Sequence, residues 1–266
     1  MERVVENMKD IQINRVEFMI TNGCTGHCKH CFRGDAGRGI HEPINAPAAI
    51  NILKRLATRY ELNSVMTGGG EPMLHAKTVC QIHEAAREMG VSHLQLITNG
   101  YFTQNFRRFE SMIIDEVAAM VVKSGVNDIL ISVDGFHQEY IPMGPVLEFA
   151  EALLRHNAPR VRAHPAWLIN AGHVHTYNTE TIHLLTRMER IGIKSSKGNS
   201  VIIEGNAAKH FDDLKQYSLS ASPHVPNPFR TIKSISIEPD GDVHTYRLIG
   251  NIYQDDILDI LDNHPE

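Results

Sequence analysis

Six apolar runs of strand length recur along the chain, and most of them end at glycine, asparagine or aspartate. Between them, apolar residues recur at helical spacing, as Ile50, Leu53 and Leu56 do. The runs are Arg15–Thr21, Asn63–Thr67, His93–Thr98, Asp128–Val133, Arg160–Ile169 and Ser200–Glu204. Strands that alternate with helices indicate βα units and a parallel sheet.

The number of these units limits the architecture. Six βα units fall short of a closed eight-unit barrel, which needs roughly 250 residues. We therefore predict an α/β fold, an open six-stranded (β/α)6 partial TIM barrel over residues 15–208, after an N-terminal lead segment at 1–14. A strand at Ile232–Glu238, a returning strand at Val243–Arg247 and a helix at Asp255–Leu261 predict a small C-terminal β-hairpin/helix cap over 209–266.

Composition excludes several classes of partner. The chain has 26 basic and 31 acidic side chains and a net charge of -5, so a nucleic-acid partner, which favours a basic face, is not expected. No apolar run approaches the roughly 18 residues that span a bilayer, and the charged start does not resemble a signal peptide. We expect a cytoplasmic protein with no nucleic-acid or membrane partner.

Three of the four cysteines lie within eight residues, at Cys24, Cys28 and Cys31, with C-x3-C-x2-C spacing. Clustered cysteines in a cytosolic protein indicate a metal site. Three thiolates can hold three irons of a cubane and leave the fourth iron open to an external ligand. The alternative is a structural zinc with four ligands, the fourth supplied by His27, His30 or a distant histidine.

Three further motifs follow the second, third and fourth strands. They are Thr67–Pro72 (TGGGEP), Thr98–Gly100 (TNG) and Ser132–Gly135 (SVDG). Together with the cysteine loop after the first strand, they resemble the radical SAM superfamily over roughly residues 14–208. The resemblance implies one [4Fe-4S] cluster on Cys24, Cys28 and Cys31, with S-adenosylmethionine (SAM) bound at its open iron.

The resemblance also implies where SAM lies. Glu71 is expected to position its ammonium group, and Ser132 and Asp134 its ribose hydroxyls or methionine carboxylate. Asp134 and Asn99 are alternatively plain turn residues, and Gly205 a simple helix start. The family has an aromatic residue before the third cysteine, where this chain has His30, with Phe32 after the cysteine. The expected cofactor-binding residues are Gly68, Gly69, Gly70, Glu71, Asn99, Ser132, Asp134, Phe32 and Gly205.

Strand alternation predicts which side chains face the inside of the barrel. Glu17, Gln95, Ser132, Arg162 and His164 would point inward, either hydrogen-bonded to one another or satisfied by a polar substrate. At the mouth, His137 is a further substrate candidate. Tyr140 is a hydrogen-atom or proton donor, or else a packed aromatic. The expected catalytic residues are Tyr140 and His164, and the expected substrate residues are Glu17, Gln95, Arg162 and His137.

The C-terminal segment resembles the SPASM/twitch extension of radical SAM enzymes, whose cysteines hold auxiliary clusters. Here Tyr246 stands where the first such cysteine is expected, and residues 209–266 contain none. The resemblance thus implies a single cluster.

The function implied is that of an oxygen-sensitive oxidoreductase. It would cleave SAM to methionine and a 5'-deoxyadenosyl radical, which abstracts hydrogen from a small polar molecule or a peptide side chain. An external flavodoxin- or ferredoxin-like protein would supply the electron. The alternatives are a glycyl-radical activase, a radical methyltransferase, and a zinc-stabilised binding or regulatory protein.

Overall fold

Strands and helices alternate along the chain in a computed structural model that describes residues 11–34, 41–103, 110–218 and 231–263. The strands are β1 (Ile11–Thr21), β2 (Ser64–Gly69), β3 (His93–Thr98), β4 (Asp128–Ser132), β5 (Val161–His164), β6 (Ala166–Trp167), β7 (Lys194–Ser195), β8 (Asn199–Ser200), β9 (Ile232–Ile237), β10 (Asp242–His244) and β11 (Leu248–Asn251). The helices are α1 (Ala46–Ala57), α2 (Ala76–Glu88), α3 (Glu110–Ser124), α4 (Gly135–Gln138), α5 (Met143–Arg155), α6 (Thr176–Arg190), α7 (Gly205–His210), α8 (Lys215–Ser218) and α9 (Ile257–Asp262).

One sheet runs through the described part of the molecule, in the order β11-β10-β9-β1-β2-β3-β4-β5-β7. Neighbouring strands from β1 to β5, and β7 beside β5, pair in parallel. The α/β class with a parallel sheet is therefore confirmed. The sheet has nine strands rather than six, because the C-terminal strands extend it.

Two predicted boundaries were wrong. The sixth strand was expected at Ser200–Glu204, but β7 (Lys194–Ser195) occupies that place beside β5. Val201 and Ile203 instead pack in a separate apolar cluster with Phe136, so their burial does not come from the main sheet. The first strand begins at Ile11, inside the segment expected to precede the barrel.

The C-terminal segment forms the hairpin (β9 and β10) and the helix that the sequence predicts, with β11 as a further strand, and it is joined to the sheet. Strand β9 pairs in parallel with β1, with Glu17 opposite Ser236, and β10 and β11 follow as antiparallel strands. Helix α9 packs against α1. The segment is thus a continuation of the sheet beside β1.

Alternation along the strands separates the two faces of the sheet. Val16, Phe18 and Leu96 belong to the main apolar core with residues of α1, α2, α3 and α5. The opposite face, called the inner face below, carries a row in which Glu17, Met66, Gln95 and Asp128 are successive strand partners. No helix among the described residues is long and apolar enough to cross a membrane.

Candidate active site at the carboxyl edge of the sheet

The cysteine loop follows β1 and is attached to the glycine-rich segment that follows β2. The Gly70 amide donates to the carbonyl oxygen of Thr21, and the Glu71 amide to that of Gly23, both at 2.8 Å. The loop therefore lies over the carboxyl ends of the parallel strands, the usual position of active sites in such sheets.

Two of the cysteines in this loop, Cys24 and Cys31, lie close enough to Cys28 to affect its ionisation. Cys28 is buried, whereas Cys24 and Cys31 are partly buried. Burial raises the pKa of Cys28, and the negative charges of Asp134, Cys24 and Cys31 raise it further. Three thiolates assembled here need a positive partner. This donor set fits the three-cysteine ligation of an iron–sulfur cluster.

The three glycines after β2 have different surroundings. A Cβ on Gly70 would lie 2.0 Å from the carbonyl oxygen of Gly23, and Gly69 has a φ of +91°. These two glycines permit the close approach to the cysteine loop. A Cβ on Gly68 would lie 3.3 Å from Met66 Sδ and 3.9 Å from Ile97 Cβ. Gly68 thus leaves space on the inner face beside the loop.

Glu71 connects the segments that follow β2 and β3. Its carboxylate is completely buried and accepts hydrogen bonds from Met73 N (2.9 Å), Thr98 Oγ1 (2.6 Å) and Asn99 N (2.7 Å). Burial raises its pKa to about 7, although these bonds favour the charged form. The Glu71 side chain is therefore enclosed by its own chain, and its contact with the SAM ammonium stays a prediction.

Asp134 has a similar internal role. One of its oxygens accepts from Phe136 N and His137 N at the start of α4, and the other from Ala166 N and His137 Nδ1 (2.8 Å). Burial opposes its ionisation, but the His137 charge and these bonds outweigh it and hold the pKa of Asp134 well below its usual range. The carboxylate is fully buried, and its contact with SAM stays a prediction. Ser132, two residues earlier at the end of β4, lies on the inner face opposite His164.

His30, inside the cysteine loop, packs against the rings of Phe136 (centroids 4.8 Å apart) and His137 (4.6 Å). Burial lowers its pKa to about 4, and its Nδ1 has no hydrogen-bond partner among the described residues. Ligand atoms of His30, Asp134 and His137 lie within 4.8 Å of one another. Both Asp134 oxygens already accept hydrogen bonds, one of them from His137, whereas His30 packs beside this pair through its ring.

Three expected substrate residues belong to one hydrogen-bond network on the inner face. Arg15 donates to Glu17 (2.6 Å) and Gln95 (2.9 Å), Gln95 donates to Asp128 (2.9 Å), and Arg162 donates to Asp128 (2.7 and 2.8 Å). Asp128 is the first residue of β4, so this inner-face network lies toward the amino ends of the strands, away from the cysteine loop. Such an end of a barrel typically serves stability.

The remaining candidates surround the loop. His164 is bonded through Nδ1 to Ser196 Oγ (2.8 Å) and through Nε2 to Asn199 Nδ2 (3.0 Å). Tyr140 is 40% exposed, beside His27, and Phe32 is 53% exposed.

Gly205 packs against the cysteine loop. A Cβ on it would lie 2.2 Å from the carbonyl oxygen of Phe32, and the next amide, of Asn206, donates to Cys31 O at 2.9 Å. Its lack of a side chain therefore serves contact with the loop. SAM contact at Gly205 stays a prediction.

Two features of the site were missed from the sequence. Asn99 directs its side chain at Cys24 and Thr25, and the Asn-Gly pair gave the turn but not this contact. Arg33, just after the third cysteine, pairs with Glu238 after β9. No local pattern links residues so far apart.

The family model of the radical SAM superfamily matches residues 18–217. The chain therefore belongs to the radical SAM superfamily. Membership confirms that the chain is an enzyme, and confirms the predicted cofactors, a [4Fe-4S] cluster and SAM. Radical SAM proteins as a class need an electron donor.

Comparison with individual proteins gives only low sequence identities. The GTP 3',8-cyclase of Microcystis aeruginosa is 23% identical over 217 residues, which cover 80% of this chain and 55% of that protein. The chain spans about half the length, or less, of the curated relatives it matches. The structure resembles Streptococcus suis SuiB bound to precursor peptide SuiA (TM-score 0.66, 13% identity, 98% of this chain and 67% of that one). It also resembles native anSMEcpe with bound AdoMet (TM-score 0.59, 13% identity, 93% and 80%). At these identities the structural similarity shows the fold alone.

Proposed function

We propose that Cys24, Cys28 and Cys31 hold the single [4Fe-4S] cluster and that SAM lies across the carboxyl ends of β2, β3 and β4. The convergence of Cys24 and Cys31 on Cys28, in a loop bonded to the glycine segment, carries this proposal. When bound, the cluster and SAM supply the 5'-deoxyadenosyl radical that abstracts hydrogen from the substrate.

The chain's own residues orient and shield these groups. Gly68 leaves room on the inner face, where Met19 and Ile97 are only partly buried and lie next to the glycine segment. Glu71 and Asp134 hold the turns after β2, β3 and β4 through hydrogen bonds to backbone amides. A rigid site of this kind excludes water from the reacting groups.

The proposed substrate is a small polar molecule or a peptide side chain. Ser132 and His164 are opposite each other on the inner face near the loop, where a polar group can find partners. Tyr140 and His164 are the proposed proton or hydrogen donors, and an external one-electron protein the proposed reductant. A reducing cytoplasm suits such a cluster.

Anaerobic reconstitution with iron and sulfide tests the metal assignment. We expect brown wild-type protein with about four irons per chain, the content of one cubane cluster, and little iron in Cys24→Ala, Cys28→Ala or Cys31→Ala. The matched control is Cys80→Ala, because Cys80 is buried in α2 outside the loop and should leave iron content unchanged. Colourless protein with one zinc would support the zinc-stabilised alternative.

Substrate class is tested by adding SAM, reductant and candidate compounds to the reconstituted enzyme. A true substrate should increase 5'-deoxyadenosine formation and, when deuterated at the reacting carbon, transfer deuterium to it. Peptides and small polar compounds tested in parallel decide between the two classes. Failure of both sets would contradict the proposed substrate class without affecting the cluster assignment.

A further inference from the structure

The side-chain amide of Asn99 has its orientation fixed by its own turn. Its Oδ1 accepts the backbone N–H of Tyr101 at 2.8 Å, so the amide nitrogen must occupy the other side. There, Nδ2 donates to Thr25 Oγ1 at 3.0 Å and to Cys24 Sγ at 3.7 Å. The two N–H groups of the amide thus have two acceptors, one of which is a proposed cluster ligand.

Neighbouring bonds hold Asn99 in this position. Its backbone N–H donates to the buried Glu71 carboxylate at 2.7 Å. Thr25, which receives one amide N–H, donates its own hydroxyl to Tyr101 O at 2.7 Å. Asn99 is itself buried. The donor is therefore preorganised and shielded from water, the condition in which a hydrogen bond to a charged group is strongest.

The three cysteines differ in the donors they receive. Cys24 Sγ accepts the Gly26 backbone N–H at 3.4 Å in addition to Asn99 Nδ2. In the described ranges, Cys28 Sγ is bonded only to its own backbone N–H, and no donor from another residue reaches the sulfur of Cys28 or Cys31. The positive ends of two N–H dipoles are thus directed at one sulfur of the three.

We propose that Asn99 is a positioning residue that raises the reduction potential of the cluster through its N–H···S bond to Cys24. Hydrogen bonds to cluster sulfurs stabilise the extra negative charge of the reduced form and are among the factors that set such potentials. Asn99 would therefore ease entry of the electron through its contact with Cys24. The inference rests on the proposed role of Cys24 as a ligand.

The test is a redox titration of the reconstituted full chain without SAM, followed by electron paramagnetic resonance of the reduced cluster. Asn99→Ser keeps a short oxygen that can accept the Tyr101 N–H but cannot reach Cys24. Asn99→Asp keeps the shape and the acceptor and replaces the N–H groups with oxygen. The control is Asn22→Ser, in the same loop, because Asn22 accepts from Arg33 and bonds to no sulfur among the described contacts.

We expect the equilibrium constant for reduction to fall about three- to tenfold in Asn99→Ser, tenfold being about 59 mV for one electron. The fall should be larger in Asn99→Asp and absent in Asn22→Ser. If Asn99→Ser binds too little iron to titrate, the neutral variant Asn99→Thr, which also keeps an oxygen and lacks the N–H groups, carries the test, and an unchanged potential there overturns the proposal.

An unchanged potential in fully loaded Asn99→Ser also overturns it, even if Asn99→Asp shifts, because the added charge then explains the effect. A fall in the Asn22→Ser control equal to that in Asn99→Ser overturns it as well, since the effect is then not specific to the sulfur contact. Wild-type protein that holds no cluster would instead overturn the proposed function, and this inference with it. If the wild-type protein holds a normal cluster and the Asn99 variant has an unchanged reduction potential, this inference is wrong and the proposed function is unaffected.

Discussion

Arg33 and Glu238 form a two-point ion pair that joins the end of the cysteine loop to the residue after β9. Arg33 Nη1 lies 3.0 Å from Glu238 Oε1 and Nη2 lies 2.5 Å from Oε2, across 205 positions of sequence. The side chains are only 22% and 18% exposed. The C-terminal extension thus fixes the loop that carries the proposed cluster ligands.

Replacing Glu238 with Gln should loosen this connection. We expect the free energy of unfolding to fall by about 1–3 kcal/mol, because a shielded bond between charged groups is lost. Iron should also be lost faster to a chelator. The charge-swapped pair Arg33→Glu with Glu238→Arg should recover part of both effects.

Asp262→Asn is the matched control for Glu238→Gln. It breaks the exposed Arg59–Asp262 pair, whose side chains are 46% and 52% exposed, and should change stability by less than about 1 kcal/mol. Equal effects of the two substitutions would contradict a special role for Glu238.

Alanine at Gly68 and at Gly70 should have different consequences. In Gly70→Ala the new Cβ overlaps the Gly23 carbonyl oxygen, so the loop must move and the cysteine site should be lost. In Gly68→Ala the new Cβ meets the flexible Met66 side chain at 3.3 Å and Ile97 Cβ at an ordinary 3.9 Å. This variant should fold and bind iron normally while binding SAM at least tenfold more weakly. Iron content and SAM titration of both variants decide this. Normal SAM affinity in Gly68→Ala would place the cofactor elsewhere.

Asp128→Asn should destabilise the fold and leave the cysteine site unaffected. Asp128 is buried and accepts from Arg162, His93 and Gln95, so losing its charge leaves Arg162 without a counter-ion. We expect a loss of about 2–4 kcal/mol in the free energy of unfolding, measured by denaturant titration, with unchanged iron content. A stability loss below about 0.5 kcal/mol, the range of ordinary surface changes, would contradict the structural role of the inner-face network.

Glu71 should make stability depend on pH. Its pKa is raised by burial from 4.5 to about 7, so the folded state binds more protons than the unfolded state within that interval. Stability from this group is therefore present below about pH 4.5 and is lost as pH rises toward 7.

The measurement is unfolding of the cluster-free protein across this pH range, with Glu71→Gln as reference. Wild-type stability relative to Glu71→Gln should fall as pH rises. His30 and His83, whose pKa values are lowered by burial, act in the opposite direction but are common to both proteins. A constant difference between the two proteins would show that the carboxylate does not titrate there.

Local sequence pattern was sufficient to predict most strands and helices. It was insufficient to predict which neighbours each side chain contacts. Apolar alternation identified β1 to β5, and the Asp240-Gly241 turn identified the hairpin of β10 with its neighbour β9. The placement of β7 was wrong because the apolar residues Val201 and Ile203 are buried in a second cluster rather than in a strand. The periodicity of apolar residues predicts that a residue is buried, but it does not predict which apolar cluster contains that residue.

The same limit applies to the site. The order of motifs placed the cysteine loop and glycine segment at one edge of the sheet. The motifs did not show that the Glu71 and Asp134 carboxylates accept hydrogen bonds from backbone amides. These partners depend on how the turns fold in three dimensions. Nor did it show the Arg33–Glu238 pair, which requires β9 to lie beside β1.

Formation of 5'-deoxyadenosine by the reconstituted enzyme with SAM and dithionite tests directly whether SAM is cleaved at the cysteine loop. We expect 5'-deoxyadenosine from wild-type protein and from Cys80→Ala, and none above background from Cys28→Ala. Undiminished 5'-deoxyadenosine from Cys28→Ala would contradict it, because the cysteine loop would then not be the site at which SAM is cleaved.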